Sequence, residues 1–82
     1  MLEQLDSLEQ DALMALLAIA DESALAKWRS TYLGRRGRVP EAVKALGTLS
    51  SAERPAYGRR VNEVKQALEA AYEVKVAELK QV

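Results

Sequence analysis

Hydrophobic residues recur along most of the chain at intervals of three and four, the spacing of one face of an α-helix. Three segments carry this spacing, with apolar positions at Leu5, Leu8, Ala12, Ala15 and Ile19, at Leu25, Trp28 and Tyr32, and at Val61, Val64, Leu68 and Ala71. No window shows the sustained apolar–polar alternation that is typical of strands. The pattern therefore predicts an all-α fold.

Turn and cap residues divide the chain into helical segments. Asp21-Glu22-Ser23 offers a break with a new N-cap, and Gly34 predicts a helix end with glycine in the left-handed region. Pro40 suits the first residue of a short helix that ends at Leu46. Ser50 and Glu53 form the S-x-x-E pattern of a capping box. The predicted single domain, 1–82, has helices at 2–20 and 24–33, a tip at 34–50 and a long helix at 51–82.

Two long helical stretches joined by the tip (residues 34–50) predict a long antiparallel α-hairpin, a coiled-coil arm with a short helix and a Gly/Arg-rich loop at its tip. About thirty residues at ~1.5 Å each make a last helix of roughly 45 Å. In this arrangement the acidic first segment is expected at the base, beside the end of the last helix. Because no stop residue follows Leu79, the chain is expected to be an N-terminal fragment of a longer protein.

The net charge of zero conceals a strongly uneven distribution. Residues 1–26 carry six acids and no Lys or Arg, whereas residues 27–60 carry nine bases and two acids. A basic block on one part of the fold is typical of a site for phosphates. The candidate RNA-binding residues are these nine bases: Lys27, Arg29, Arg35, Arg36, Arg38, Lys44, Arg54, Arg59 and Arg60.

The residue types present exclude several classes of function. The 82 residues contain no His and no Cys, and they lack the glycine-rich and nucleophile motifs of phosphate loops and hydrolases. We therefore expect no catalytic residues, metal site or cofactor in this chain. The acidic start lacks the basic region of a signal peptide, and the longest apolar run, 12–20, is too short to span a bilayer. A cytoplasmic protein that does not enter membranes is expected.

Two interpretations of these features remain open. The basic tip either binds duplex-like RNA through phosphates and 2′-hydroxyls or is a solvated loop. Trp28 and Tyr32 have core spacing, which favours packing over stacking on bases, and Tyr57 suits either role. The alternative function is a coiled-coil module for protein interaction or self-association, in which the apolar surplus at Leu13, Leu16 and Leu17 docks a partner or a second copy.

The segment Tyr32-Leu33-Gly34-Arg35-Arg36-Gly37 resembles the Tyr-Leu-Gly-Lys-Lys-Gly motif in the N-terminal domain of the bacterial phenylalanine–tRNA ligase α subunit. The surroundings agree in order and spacing, with Leu25-Ala26-Lys27-Trp28-Arg29 before the motif, and Glu53-Arg54-Pro55-Ala56-Tyr57-Gly58 and Val61-Asn62-Glu63-Val64-Lys65 after it. The likeness covers essentially the whole chain. Both motif lysines are arginines here, which preserves charge and favours bidentate phosphate contacts.

The resemblance implies the tRNA-binding arm of a class II ligase, a helical hairpin that grips the outer body of phenylalanine tRNA. It implies that Arg35 and Arg36 take the place of the motif lysines. It also implies a parent enzyme that assembles with a β subunit as an (αβ)2 heterotetramer. Catalysis with ATP, Mg²⁺ and phenylalanine would belong to a later part of that α subunit.

Overall fold

The structure is a computed structural model that describes residues 2–80. This part of the chain consists of four α-helices and one 3₁₀ turn and contains no strand, which confirms the all-α class. The helices are α1 (Leu2–Leu17), α2 (Glu22–Tyr32), α3 (Arg38–Ala45) and α4 (Arg54–Lys80), and the 3₁₀ turn is Leu46–Thr48. Together they form a rod of 48 × 18 × 15 Å. The predicted ends of the first and last segments, at residues 1, 81 and 82, lie outside the described residues.

The end of α1 and the start of α2 are defined by local hydrogen bonds. The N–H groups of Ala18 and Ile19 donate to carbonyls three residues earlier, at 3.3 and 3.1 Å, so α1 tightens and stops at Leu17 and not at residue 20. The chain is then extended at Asp21, whose carboxylate accepts the N–H of Ala24 at 2.8 Å. The predicted N-cap of the second helix is therefore confirmed.

The short helix of the tip begins earlier than predicted. α3 starts at Arg38 because the carbonyl of Gly37 accepts the N–H of Glu41 at 3.1 Å, which closes a first turn that contains Pro40. Pro40 is then the third helical residue, where an N–H has no partner inside the helix. The helix ends at Ala45 and continues as the 3₁₀ turn, where the Thr48 hydroxyl donates to the Ala45 carbonyl at 2.7 Å.

The predicted capping box before α4 is half formed, because Glu53 reaches back to Ser50 but the Glu53 N–H donates to the Ser50 carbonyl at 3.1 Å and not to its hydroxyl. The backbone N–H and the hydroxyl of Ser50 both donate to one carboxylate oxygen of Glu53, at 3.4 and 3.0 Å. Residues 51–53 form a turn, and regular helix begins at Arg54. The local sequence therefore located the start of the long helix to within three residues.

Helix α1 runs parallel to α4. Near the start of both helices the Asp6 carboxylate lies 2.9 Å from the Arg60 guanidinium. Near their ends the ammonium of Lys75 donates to the Ile19 carbonyl at 3.2 Å. The acidic segment therefore lies beside the tip, and the prediction that it pairs with the end of the last helix at the base was wrong.

Helix α2 runs antiparallel to both neighbours, which explains the direction of α1. The rings of Trp28 and Tyr72 stack with centroids 6.3 Å apart and an interplanar angle of 8°. Further along, Glu22 and Leu79 line one shallow groove. The short connection at 18–21 forces α1 to reverse onto α2, and since α2 opposes α4, α1 must follow the direction of α4. The tip therefore joins α2 and α4 in the predicted antiparallel sense, but α1 folds back beside them, so three helices lie side by side where two long rods were predicted.

The hydrophobic core lies between these three helices and extends under α3. Its twelve buried members are Leu5, Leu8, Ala12, Leu16, Leu25, Trp28, Tyr32, Val39, Tyr57, Val61, Val64 and Leu68. The indole N–H of Trp28 donates to the Ala12 carbonyl at 2.8 Å, and the Tyr57 hydroxyl donates to the Ala42 carbonyl at 3.1 Å. The expectation that Trp28 and Tyr32 are core residues is confirmed, and none of the three aromatic rings is free to stack on a base.

Candidate nucleic-acid interface

The arginine turn (residues 34–37) connects α2 to α3. The N–H groups of Leu33 and Gly34 both donate to the Arg29 carbonyl, at 2.7 and 2.8 Å, which ends α2. The N–H of Gly37 then donates to the Gly34 carbonyl at 2.8 Å and closes a β-turn. Arg35 and Arg36 occupy the two central positions of this turn, and both are exposed. The turn therefore directs two adjacent guanidinium groups toward solvent.

Glycine is required at both ends of this turn because backbone atoms approach too closely for a Cβ, and not because the backbone is left-handed. No residue among 2–80 has a positive φ, so the predicted left-handed cap at Gly34 was wrong. A Cβ added at Gly34 would lie 2.8 Å from the Ser30 carbonyl oxygen, and one added at Gly37 would lie 2.8 Å from the Tyr32 carbonyl carbon. Both neighbours are backbone atoms that have no room to move. The two glycines therefore let the turn pack tightly against the end of α2.

Arg60 is occupied by acidic residues of α1. Its Nε donates to the Asp6 carboxylate and its Nη2 to the Glu9 carboxylate, both at 2.9 Å. The side chain is only 23% exposed, and Glu63 adds a longer contact at 3.5 Å. The hydrogen bonds to Glu9 and then to Asp6 raise the pKa of the Arg60 guanidinium above its usual value. This arginine joins α1 to α4 and is not available to a phosphate.

Replacing Arg60 by glutamine is expected to lower the free energy of unfolding by about 1–2 kcal/mol. The substitution removes two charge-assisted hydrogen bonds and leaves two neighbouring carboxylates without their cation. Urea unfolding followed by circular dichroism measures the difference. The matched control is Arg59→Gln, which alters an exposed arginine one position away and should stay within about 0.5 kcal/mol. Equal losses in the two variants would contradict a structural role for Arg60.

Arg38 is held more loosely on the same side of the molecule. Its guanidinium lies 3.6 Å from the Asp11 carboxylate, with the two side chains 47% and 60% exposed. It also lies 5.6 Å from the centre of the Tyr32 ring. Exposed ion pairs of this kind contribute about 0–1 kcal/mol, so a phosphate can compete with Asp11 for Arg38.

Two further candidate bases make contacts within the fold. The guanidinium of Arg29 lies 4.6 Å above the Tyr72 ring, on the stretch of α2 that packs against α4. The Nε of Arg54 donates to the Leu49 carbonyl at 3.1 Å, which connects the first turn of α4 to the end of the tip. Both residues are exposed. Each therefore combines a packing contact with a charge that solvent can reach.

The remaining candidate bases are exposed and lightly held. Lys44 lies 3.7 Å from Glu41 one helical turn away, and both side chains are more than half exposed. Four side chains make no ion pair or hydrogen bond with any residue in the described range 2–80: Lys27, Arg35, Arg36 and Arg59. The structure thus divides the nine predicted bases into one that is structural, several that are partly engaged and four that are free within residues 2–80.

Lys65 is a base that the sequence-based selection missed. It lies outside the basic block, yet α4 brings it to the same groove as Lys44. The groove has a volume of about 400 Å³ and is lined by Leu33, Val39, Pro40, Val43, Lys44 and Lys65. Helix periodicity could have found it, because Lys65 follows the buried Val61 by four residues and therefore flanks the core face of α4.

Residues 2–80 contain neither a membrane-spanning helix nor a metal-binding cluster. Among residues 2–80 no helix is long and apolar enough to cross a membrane. Within the same range no cluster of three or more His, Cys, Asp or Glu side chains is arranged to hold a metal ion.

The sequence is similar to a known family and to several known proteins. The family described as aminoacyl tRNA synthetase class II, N-terminal domain, matches residues 20–82. The chain is 44% identical over 82 residues to the phenylalanine–tRNA ligase alpha subunit of Roseiflexus sp. (strain RS-1), covering 100% of this chain and 24% of that protein. It is 46% identical over 80 residues to that of Roseiflexus castenholzii, covering 98% and 23% of the two chains. With the Geobacter sulfurreducens subunit the identity is 45% over 73 residues, covering 89% and 22%. The chain thus spans about a quarter of the length of these curated relatives.

Proposed function

The chain belongs to the family of class II aminoacyl-tRNA synthetase N-terminal domains, and from this premise we propose that it is the tRNA-binding arm of a phenylalanine–tRNA ligase α subunit. The arm binds the tRNA body through phosphates and helps to orient it for aminoacylation elsewhere in the enzyme. Contacts of this kind supply affinity and orientation and carry little sequence information. The alternative, a coiled-coil interaction module, is not favoured by the relatives.

The observation that carries this proposal is the arginine turn. Arg35 and Arg36 are adjacent, exposed and free of acidic partners within residues 2–80, in a turn whose backbone is tightly packed against α2. Guanidinium groups match phosphate oxygens in a bidentate manner, and a rigid turn lowers the entropic cost of presenting them. A pair of such groups suits two phosphates of one RNA strand.

The proposed contact set is narrower than the basic block. Arg60 is left out because Asp6 and Glu9 occupy it. Arg29 and Arg54 take minor parts, since each already makes a contact within the fold. The proposed phosphate contacts are Lys27, Arg35, Arg36, Lys44 and Arg59, with Arg38 joining when a phosphate replaces Asp11.

The remaining parts of the proposed enzyme belong to the longer protein. ATP, Mg²⁺ and phenylalanine would bind in a later part of the α subunit, outside these 82 residues. Assembly with a β subunit into an (αβ)2 heterotetramer is likewise a property of the whole protein. Within that assembly this arm would act on the tRNA alone.

The proposal is tested by titrating the isotope-labelled chain with phenylalanine tRNA and following backbone amide shifts at two salt concentrations. Shifts are expected at the tip and the adjoining turns of α2 and α4. If the five proposed contacts neutralise about five phosphates, log K should fall with log salt at a slope of about −4. An absence of shifts would reject binding by this chain. Shifts centred on the exposed apolar residues Met14, Leu17 and Val74 would favour the interaction module instead.

A further inference from the structure

The groove between α3 and α4 exposes apolar surface at the tip that the fold leaves unburied. Val43 is 46% exposed and forms one wall, beside Pro40 and above the buried Val39. A solvent-facing valine on a short helix contributes little to folding. The volume of the groove is about 400 Å³, which falls within the range of roughly 300–1,000 Å³ that is typical of sites for small ligands.

Positive charge surrounds this apolar floor. Lys44 and Lys65 line the groove from α3 and α4, and Lys65 makes no ion pair or hydrogen bond with its side chain among residues 2–80. Lys44 pairs with the carboxylate of Glu41, at 3.7 Å, and both side chains are exposed. The groove therefore combines a floor that favours an apolar or π surface with a rim that favours an anion.

The opposite side of α3 has a different electrostatic character. A second groove of about 320 Å³ there is lined by Arg36 and Arg38, but also by Glu41 and the start of α1. Carboxylates from α1 reach this side and hold Arg38 and Arg60. Those acids compete with an RNA phosphate for Arg38, whereas no residue of α1 lines the groove that holds Lys44 and Lys65. The charge distribution thus favours the α3–α4 groove for a nucleotide.

We propose that the α3–α4 groove binds one unpaired nucleotide of the RNA, with its base against Pro40 and Val43 and its phosphate between Lys44 and Lys65. This inference rests on the proposed function and adds that the RNA must offer an unpaired base. A base inside a duplex is stacked on both faces and cannot enter, so the groove selects a loop or bulge. The arginine turn contacts phosphates of either kind of RNA, and the groove discriminates between them.

The experiment compares two RNAs with the same number of phosphates, a stem-loop with unpaired nucleotides and a fully paired duplex. Val43→Ser is expected to weaken stem-loop binding about five-fold and to leave duplex binding unchanged, because the substitution reduces the apolar area that an unpaired base covers. The matched control is Val74→Ser, which alters a valine that is 59% exposed and distant from the tip. Thermal melts of both variants confirm that the fold is kept.

The rim is tested by Lys65→Gln, with Lys80→Gln as the control that removes the same charge from the far end of α4. Lys65→Gln should weaken binding to the stem-loop and lower the salt slope by about one, while Lys80→Gln should change neither. A stem-loop whose loop nucleotides are abasic keeps the phosphates and removes the bases. The wild-type chain should bind this abasic stem-loop only as tightly as Val43→Ser binds the intact stem-loop. The Val43→Ser variant should bind the abasic and intact stem-loops equally.

Two failures are distinguishable. If Val43→Ser and Val74→Ser behave alike on both RNAs while Arg35→Ala weakens both, the groove is not a nucleotide site and the proposed function stands. If neither RNA binds the wild-type chain at low salt, or if Arg35→Ala changes nothing, the proposed function itself is rejected. If the wild-type chain still preferred the abasic stem-loop to the duplex, the groove would not be a nucleotide site, because no base would be needed for the preference.

Discussion

Replacing Trp28 by alanine should remove a large fraction of the stability of the chain. The indole is 4% exposed and packs at the point where α1, α2 and α4 meet, with the Tyr72 ring stacked on it and the Tyr32 ring 5.5 Å away. Truncating a buried tryptophan to alanine costs about 3–5 kcal/mol. An 82-residue domain has a total stability of about 4–12 kcal/mol at ~0.05–0.15 kcal/mol per residue, so the loss is a large fraction of the whole.

Thermal unfolding followed by far-ultraviolet circular dichroism measures this loss. Trp28→Phe keeps an aromatic ring but removes the hydrogen bond from the indole N–H to the Ala12 carbonyl, so it should cost less, about 1–3 kcal/mol. The control is Leu17→Ala, at a leucine that is 80% exposed, where a change below about 0.5 kcal/mol is expected. If Trp28→Ala melted like Leu17→Ala, the described packing of the three helices would be wrong.

Replacing both Arg35 and Arg36 by alanine should weaken tRNA binding by about 30-fold or more at physiological salt, on the proposed function. Each charge-assisted contact contributes about 1–1.5 kcal/mol, and each 1.4 kcal/mol corresponds to a factor of ten. The slope of log K against log salt should become shallower by about two, because two fewer counterions are released. Different tRNAs should lose affinity about equally, since phosphates carry no base identity.

Filter-binding or fluorescence titrations over a salt series give both quantities. The matched control replaces the same two residues by lysine, which keeps the charge and should leave the salt slope unchanged while costing a few-fold in affinity. Both side chains are exposed and make no contact that stabilises the fold within residues 2–80, so the melting temperature should not change. If the double alanine variant kept the wild-type affinity and salt slope, the arginine turn would not be part of the RNA interface.

Local features of this chain were predictable because they depend on neighbours in sequence. The three- and four-residue spacing of Leu25, Trp28 and Tyr32 placed all three in the core. The caps at Asp21 and Glu53 depend on hydrogen bonds that span three residues. The roles of Gly34 and Gly37 also depend on atoms only four and five residues away, at Ser30 and Tyr32, but the sequence pattern did not distinguish this close backbone approach from a left-handed cap.

The basic block itself was visible in the sequence, but which of its members are free was not. Arg59 and Arg60 are adjacent and identical in type, yet one is exposed and the other is held by acids 51 and 54 residues away. Lys65 joins Lys44 only because α4 passes α3. The order of residues alone determined the helices, their caps and the concentration of charge, since these follow from interactions within a few residues. The direction of α1, the pairing of Arg60 and the α3–α4 groove were decided by tertiary structure, because packing brings together charges and apolar surfaces that are far apart along the chain.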